Sequence, residues 1–511
     1  MLRIHHLPEG ERTVSDFQVR LDGEETRPWF CRVSAMPYNT VWPGHQRPLD
    51  QTEEASFVSF EMDRPVSVSL TASKDFSEAV VRPLSKGMEI ETEGREIRFT
   101  ITECGYYTVE LDGWHNALHL FANPATNFGV DREAPGVLYY GPGVHEIGDL
   151  ELEDDQTLFV DGGAVLYGSV MAVQKKNIRI VGYGVIDGSR EVRTDDTLLI
   201  TWDMSGPDFC QEEILRKNLE EKKVLHGCVH LYSCTDSEIA GVIARDSSTF
   251  SFIVADGERV ECRWLKTIGM WRYNSDGIDL FNCRYIRIAD CFLRNFDDCI
   301  VIKGIKGWDR KNMHHIHITG CTVWCDWGRG LEFGAETCAD EYHDILLEDC
   351  DLIHGSFAHI DIQHLDRARI HDVLIKNIRC EYSRYDCPPI YQADMSVSYE
   401  DAKLKKGSGQ PTCHGDGWGE AWQPRLIDAP IADGPFSDDH ILGETYHVRF
   451  EDIRILCDAD AAIPECRFAG ADAGHCNHDI VIENVSRNGV RLQPEELVLN
   501  IGEFDYNIEV R

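Results

Sequence analysis

Four short segments near the middle of the chain align without gaps: "DGIDLFN" (276–282), "DCIVIKG" (298–304), "RGLEFGA" (329–335) and "AHIDIQH" (358–364). Their starts lie 22, 31 and 29 residues apart, the second step lengthened by "IKGWDRKNM" (305–313). Segments of the same build flank them, from "LFVDGGAVLYGSV" and "KNIRIVGYGVIDGS" to "YHVRFEDIRIL" and "HDIVIENVSRNG". Each is a strand of alternating residues, a small or polar turn and a second short strand, with no amphipathic helix between. A unit this short cannot bury a face alone, so the units must stack, and strand-only stacking predicts a parallel β-helix. In this register Ile278, Ile300, Leu331 and Ile360 form one inward column, and Leu280, Ile302, Phe333 and Ile362 form another. Side chains two apart share a face. Asp279, Val301, Glu332 and Asp361 therefore point outward, with Lys303 and Gln363 one step on, as a polar stripe along the stack.

The remainder of the chain reads as all-β too. Residues 1–130 carry alternating segments such as "VSVSLTAS" and "REIRFTIT", broken by Gly, Asp and Asn, which predict an antiparallel β-sandwich. "FANPATNFGVDREAPG" (121–136) reads as a linker. The β-helix domain is expected over 131–485, with 486–511 as C-terminal strands or a cap. A long insertion at 381–445 holds Tyr382, Tyr385, Tyr391, Tyr399, Trp418 and Trp422, rings that suit stacking on sugar faces.

Charge narrows the partners. With 50 Lys+Arg against 88 Asp+Glu the net charge is −38, a field that repels nucleic acid and anionic membrane surfaces. No run of about 18 apolar residues is present, so no membrane span is expected. "MLRIHHLPEGERTVSDF" has no apolar h-region, and the 19 cysteines are spread through strands, so they read as reduced and buried in a cytoplasmic protein. His315 and His317 in "HHIHIT" would share a strand face, but no third ligand follows at recognisable spacing. There is no Walker loop, Rossmann fingerprint or zinc-type Cys pairing. No metal and no cofactor is expected. Side-by-side association into a homo-oligomer is compatible with the repeat, although no interface is legible.

The chemistry concentrates at the strand mouths. Asp276 opens one strand, Asp298 opens the next with Asp297 just before it, and Arg329 takes that place on the third coil between Gly328 and Gly330. Any one Asp is an ordinary turn residue. Together, followed by Arg329 and Glu332 in register, they form a carboxylate group beside a cation. Such a group can hold one acid protonated and another ionised, the division of labour that glycosidic hydrolysis needs.

"NSDGID", "DDCIVIKG" and "GRGLEFGA" resemble the signature blocks of glycoside hydrolase family 28, the polygalacturonase family, over roughly residues 139–385. The resemblance implies a right-handed parallel β-helix and hydrolysis with inversion. Carried over by position, it implies Asp298 as the general acid, with Asp276 and Asp297 activating the attacking water. Two departures stand out. The family's Gly-His-Gly is Gly328-Arg329-Gly330 here, and its Arg-Ile-Lys, which grips a uronate carboxylate, has no counterpart near His359, Asp361 and Gln363. The resemblance implies an inverting glycosidase acting on a carbohydrate, and the departures from the family pattern point to a neutral sugar facing Asp361. The expected substrate-binding set is Asp279, Lys303, Arg329, Glu332, His359, Asp361, Gln363 and Trp327, with Trp324 as the other indole candidate. A sandwich preceding a β-helix is also similar, more weakly, to the dextranases of glycoside hydrolase family 49. The alternative readings are a galacturonide hydrolase, a polysaccharide lyase or epimerase, and a non-catalytic glycan-binding β-helix.

Overall fold

The computed structural model describes residues 1–34, 49, 52–193, 226–308, 311–383, 424–434, 437–459 and 461–511. From Val137 onward the chain winds through three parallel ladders as a β-helix. One ladder is a twelve-stranded sheet from Val137–Tyr140 to Tyr506–Val510. A second runs through Ile278–Phe281, Ile300–Gly304, Arg329–Thr337 and Ala358–His364, and a third through Ile243–Arg245, Lys266–Ile268, Phe292–Asn295 and Thr322–Cys325.

The register read from the sequence is the register of the second ladder. Ile278 pairs with Ile300, Ile300 with Leu331 and Leu331 with Ile360, and the column of Leu280, Ile302, Phe333 and Ile362 follows two residues on. All eight side chains are at most 1% exposed. Each such burial contributes about 1.5–3 kcal/mol before chain entropy is charged against it.

The corners have a common chemistry. Coil after coil leaves the twelve-stranded ladder through one residue with left-handed backbone: Gly241, Trp264, Asp290, Gly320, Asp349, Asn377, Asp452 and Asn484 have φ between 52° and 83°. Asp, Asn and Gly dominate because they reach that region at least cost. A second left-handed residue sits near the start of each strand, at Arg259, Tyr285, His315, Asp344, Asp372, His447, Asp479 and Asn507. This extra residue interrupts the two-residue alternation. His315 accordingly leaves the pleat, while His317 bonds Glu348 one coil on at 2.8 Å, which corrects the shared face expected for the two histidines.

The N-terminal region is two sheets facing each other across one core. Val19, Leu21, Val68, Leu70 and Ile97 meet Val58, Phe60, Val109 and Leu120 there. All pairings in these sheets are antiparallel except one: Leu118–Pro124 runs parallel to Thr52–Met62, so part of the stretch expected as a linker is a sandwich strand. The outer side of that sheet is not solvated. Trp29, Phe57 and Phe121 pack on Val185, Ile243 and Phe292 of the third ladder, and Thr52–Met62 is therefore buried on both faces from Ala55 onward.

At the other end, Val498–Ile501 and Tyr506–Val510 continue two of the ladders, so 486–511 adds strands to the helix. Within 381–445, Tyr382 is buried and Arg425–Pro430 is a coil strand. Tyr385, Tyr391, Tyr399, Trp418 and Trp422 lie outside the described residues.

Charged groups lock the sandwich to the helix. Buried Arg82 bonds Glu110 at 2.9 Å and also reaches Glu381, whose other oxygen accepts the Leu84 backbone N–H at 2.6 Å. His354 meets Glu110 at 2.6 Å. Arg82→Met leaves two buried carboxylates short of their cation. It is expected to lower the unfolding free energy by about 3–5 kcal/mol in chemical denaturation; a loss under about 1 kcal/mol would show that the network does not hold the two parts together.

Candidate active site

The acid turns are built by backbone demands as much as by their carboxylates. Asn274 takes φ 53°, and its side chain accepts a hydrogen bond from Arg193 Nη2 at 2.9 Å. Ser275 Oγ donates to the Arg272 carbonyl at 2.6 Å, while Asn295 Nδ2 donates to the Ser275 carbonyl at 2.8 Å from the next coil. Gly277 follows because a Cβ there would sit 2.2 Å from the Cys299 carbonyl oxygen. "NSDG" is thus a close-approach turn that sets Asp276 at the mouth of its strand.

One coil on, the Asp297 carboxylate accepts the backbone N–H of Asn274 and that of Asp298, each at 3.2 Å. The third coil brings Arg329. Its backbone N–H donates to Asp298 Oδ1 at 2.8 Å, which is why Gly328 precedes it: a Cβ on Gly328 would lie 2.3 Å from that same oxygen.

Two cations divide the acids between them. Lys303 Nζ lies 3.3 Å from Asp276, 3.7 Å from Asp279 and 3.9 Å from Glu336. Arg329 Nε donates to Asp361 at 3.0 Å, its Nη1 lies 3.9 Å from Asp298, and its guanidinium lies over the Phe357 ring. Among the described residues Asp297 has no ion-pair partner and is served by amides.

The outward column Asp279, Val301, Glu332, Asp361 continues to Asp428 and Arg467. Its acids point away from the core yet are buried, and both oxygens of Asp279 lack a hydrogen-bond donor. Burial pushes the carboxyls up: Asp279 to about 8, against the pull of Lys303, and Asp361 to about 7, against the pull of Arg329. Asp276 and Asp297 are raised by burial and then by the neighbouring carboxylates, Asp279 on the first and Asp276 and Asp298 on the second. Glu332 is raised by burial and by Asp298, to which its protonated form can donate. For Lys303 burial opposes the charge, but Glu336, Asp276 and Asp279 outweigh it and keep the ammonium protonated.

Of the residues singled out in the sequence, the fold brings together Asp276, Asp279, Asp297, Asp298, Lys303, Arg329, Glu332 and Asp361. His359 does not join them: it bonds the Glu381 carbonyl at 3.3 Å and meets the Tyr382 ring edge-on. Gln363 falls opposite Gly334 in the ladder, and its backbone oxygen would clash with any Cβ there. Trp327 is partly exposed and stacks on Phe296 at 5.5 Å, whereas Trp324 is buried against Arg294 and His354.

Sequence reasoning missed the aromatic wall to which Trp327 belongs. Tyr273, Phe296, Trp327 and Phe357 are in ring contact along four successive coils. The signal was present, an aromatic residue one to three positions before each strand mouth. Arg193 and Glu336 were missed as well. Among the described residues no group of three or more His, Cys, Asp or Glu side chains is arranged to hold a metal ion.

The family model described as "Glycosyl hydrolases family 28" matches residues 166–382. Endo-polygalacturonases of Pectobacterium carotovorum subsp. carotovorum and Pectobacterium parmentieri are each 26% identical over 174 residues, 33% of this chain and 39% of theirs. The chain thus spans well under half the length of these relatives. Dex49A from Penicillium minioluteum superposes with a TM-score of 0.55 at 13% identity, covering 99% of this chain and 90% of that one, a likeness of fold. Over the coils that carry Asp276, Asp297 and Asp298, the chain matches glycosyl hydrolase family 28.

Proposed function

We propose that the protein is a glycoside hydrolase that cleaves oligosaccharides with inversion, using Asp297 as the proton donor and Asp276 and Asp298 to activate water. The observation that carries this reading is the division of cations. Asp276 has the Lys303 ammonium at 3.3 Å, and Asp298 has the Arg329 N–H at 2.8 Å with the guanidinium beyond it. Asp297 has amides and two neighbouring carboxylates. Burial and neighbouring carboxylates hold both Asp276 and Asp297 above the usual carboxylate range, and of the two it is Asp297 that has no cation within ion-pair distance among the described residues, so the proton is assigned to Asp297. In this proposal the acid is Asp297, whereas the family resemblance implies Asp298.

The reaction balances without a further group. Asp297 gives its proton to the departing glycosidic oxygen as the bond to the anomeric carbon breaks. Water adds to that carbon from the opposite face, and its proton passes to the Asp276–Asp298 pair. The sugar on the Asp361 side is neutral in this proposal, because the Arg329 guanidinium there is already engaged by Asp298 and Asp361. Trp327, half-buried in the aromatic wall, offers that sugar a flat face.

The test is reducing-end release from a panel of neutral and galacturonic oligosaccharides. Asp297→Asn and Asp298→Asn are each expected to cost about 10²–10⁴ in kcat. They separate on aryl glycosides with a good leaving group, which need no protonation: Asp297→Asn recovers there and Asp298→Asn does not. Recovery in Asp298→Asn alone would return the acid role to Asp298. Cleavage confined to galacturonides would overturn the neutral sugar, and silence across the panel would overturn hydrolysis.

The protonated acids leave a second signature. Asp279 titrates near 8 in the fold against an ordinary 3.8, so the folded state keeps a proton that the unfolded chain has released. That contribution is complete below about pH 4 and is lost as pH rises toward 8. Asp279→Asn should melt level with the wild type near pH 4 and increasingly above it toward pH 8. A melting-temperature difference that does not change with pH would show that Asp279 is ionised throughout.

A further inference from the structure

We infer that Asp361 is a positioning residue that acts through Arg329, holding the guanidinium beside Asp298 where family 28 places a histidine, rather than a ligand of the sugar. This rests on the hydrolytic reading above and deepens it.

Arg329 is held at three points. Its backbone N–H is bonded to Asp298 at 2.8 Å, its Nε–H to Asp361 at 3.0 Å, and its guanidinium lies 4.7 Å from the centre of the Phe357 ring. The result is a cation whose Nη1 stops 3.9 Å from Asp298 Oδ1, beside that carboxylate but short of a direct side-chain hydrogen bond. A free guanidinium would close the gap and take a direct hydrogen bond, as charge-assisted pairs do. That bond would compete with water for the Asp298 oxygens as they receive a proton. Asp361 is built for the holding role. It lies two coils from Asp298 in the strand paired with that of Arg329, it is buried, and Glu332 separates it from Val301 in the outward column. Its own surroundings are fixed in turn, since Asp428 one coil further is bonded by Arg467 at 2.6 and 2.8 Å and by Arg425 at 3.2 Å. The charged groups facing the Arg329–Asp298 contact are Asp297, Glu332 and Asp361, with Asp276, Asp279 and Lys303 beyond them.

The experiment is a double-mutant cycle of Arg329→Met and Asp361→Asn on the oligosaccharide that the wild type cleaves. Asp361→Asn alone should lower kcat about 10-fold with KM within about 2-fold, and the double variant should match Arg329→Met alone, because coupled residues are not additive. A rise in KM at constant kcat, or losses that multiply, would overturn the inference and make Asp361 a sugar ligand. If Arg329→Met does not fold, Arg329→Lys replaces it: lysine keeps the charge but lacks the Nε–H, and Asp361→Asn should add nothing in that background.

A readout that needs no turnover separates this inference from the hydrolytic reading. The Nε–H proton resonance of Arg329, assigned by its loss in Arg329→Lys, should be protected from exchange in the wild type and lost in Asp361→Asn. Protection that survives Asp361→Asn overturns the positioning role. Protection lost as expected, in a protein that cleaves no member of the panel, supports the pair and sinks the hydrolytic reading instead.

Discussion

Parallel stacking in register sets each side chain about 4.8 Å from its counterpart one coil away, and that spacing imposes the chemistry of the site. For Ile278, Ile300, Leu331 and Ile360 the constraint is favourable, since four apolar side chains fill one dry column. For carboxylates it is costly. Asp276, Asp297 and Asp298 crowd the strand mouths while Asp279, Glu332 and Asp361 share the outward column, and like charges at such separations cannot all stay ionised in a buried place. The fold meets the cost in two ways. Lys303 and Arg329 neutralise part of the charge, and the remaining acids keep protons. A site that must hold both protonated and ionised carboxyls at once is the outcome of that balance, not an addition to it.

The sandwich is anchored to the β-helix beside these coils. It covers the third ladder, and it ties itself down with buried charges instead of apolar area alone. Arg294 is completely buried at this junction, bonded to His119 at 3.0 Å and lying over the Trp324 ring. Asn295 follows it in the chain and supports the "NSDG" turn. The junction and the acid turn therefore share one short strand, Phe292–Asn295.

What the sequence disclosed follows from what stacking conserves. Period-two columns and their register were readable because each coil repeats the same burial. The acids were readable because a solenoid brings one turn beside the next. The reading failed where a side chain's reach or a backbone irregularity decides. Which of the neighbours Asp297 and Asp298 lies nearer to Lys303 or Arg329 is not encoded in spacing. His359 alternates outward as expected but lies at a corner where Glu381 and Tyr382 claim its ring. His315 is displaced by a left-handed residue whose presence the histidine itself does not announce. Arg193 reaches Asn274 across 81 residues, a contact that no local spacing encodes. The parallel pairing of Leu118–Pro124 was equally hidden, since an isolated strand does not declare the direction of its neighbour.

Replacing an imidazole by a guanidinium at the third strand mouth changes how the site answers pH. A histidine beside a general acid or base titrates within the working range and adds its own limb to the rate profile. Arg329 does not titrate there, and Lys303 is held protonated by three acids. His359 is turned toward the Glu381 carbonyl, so among the described residues the charge of the site is set by carboxyls against a fixed background of the cations Lys303, Arg329 and Arg193. A fixed background has a price in specificity: a cation already held by acids is a poor receptor for a uronate. Two of these cations are committed to side chains of the protein itself, Arg329 to Asp361 and Asp298 and Lys303 to Asp276, Asp279 and Glu336.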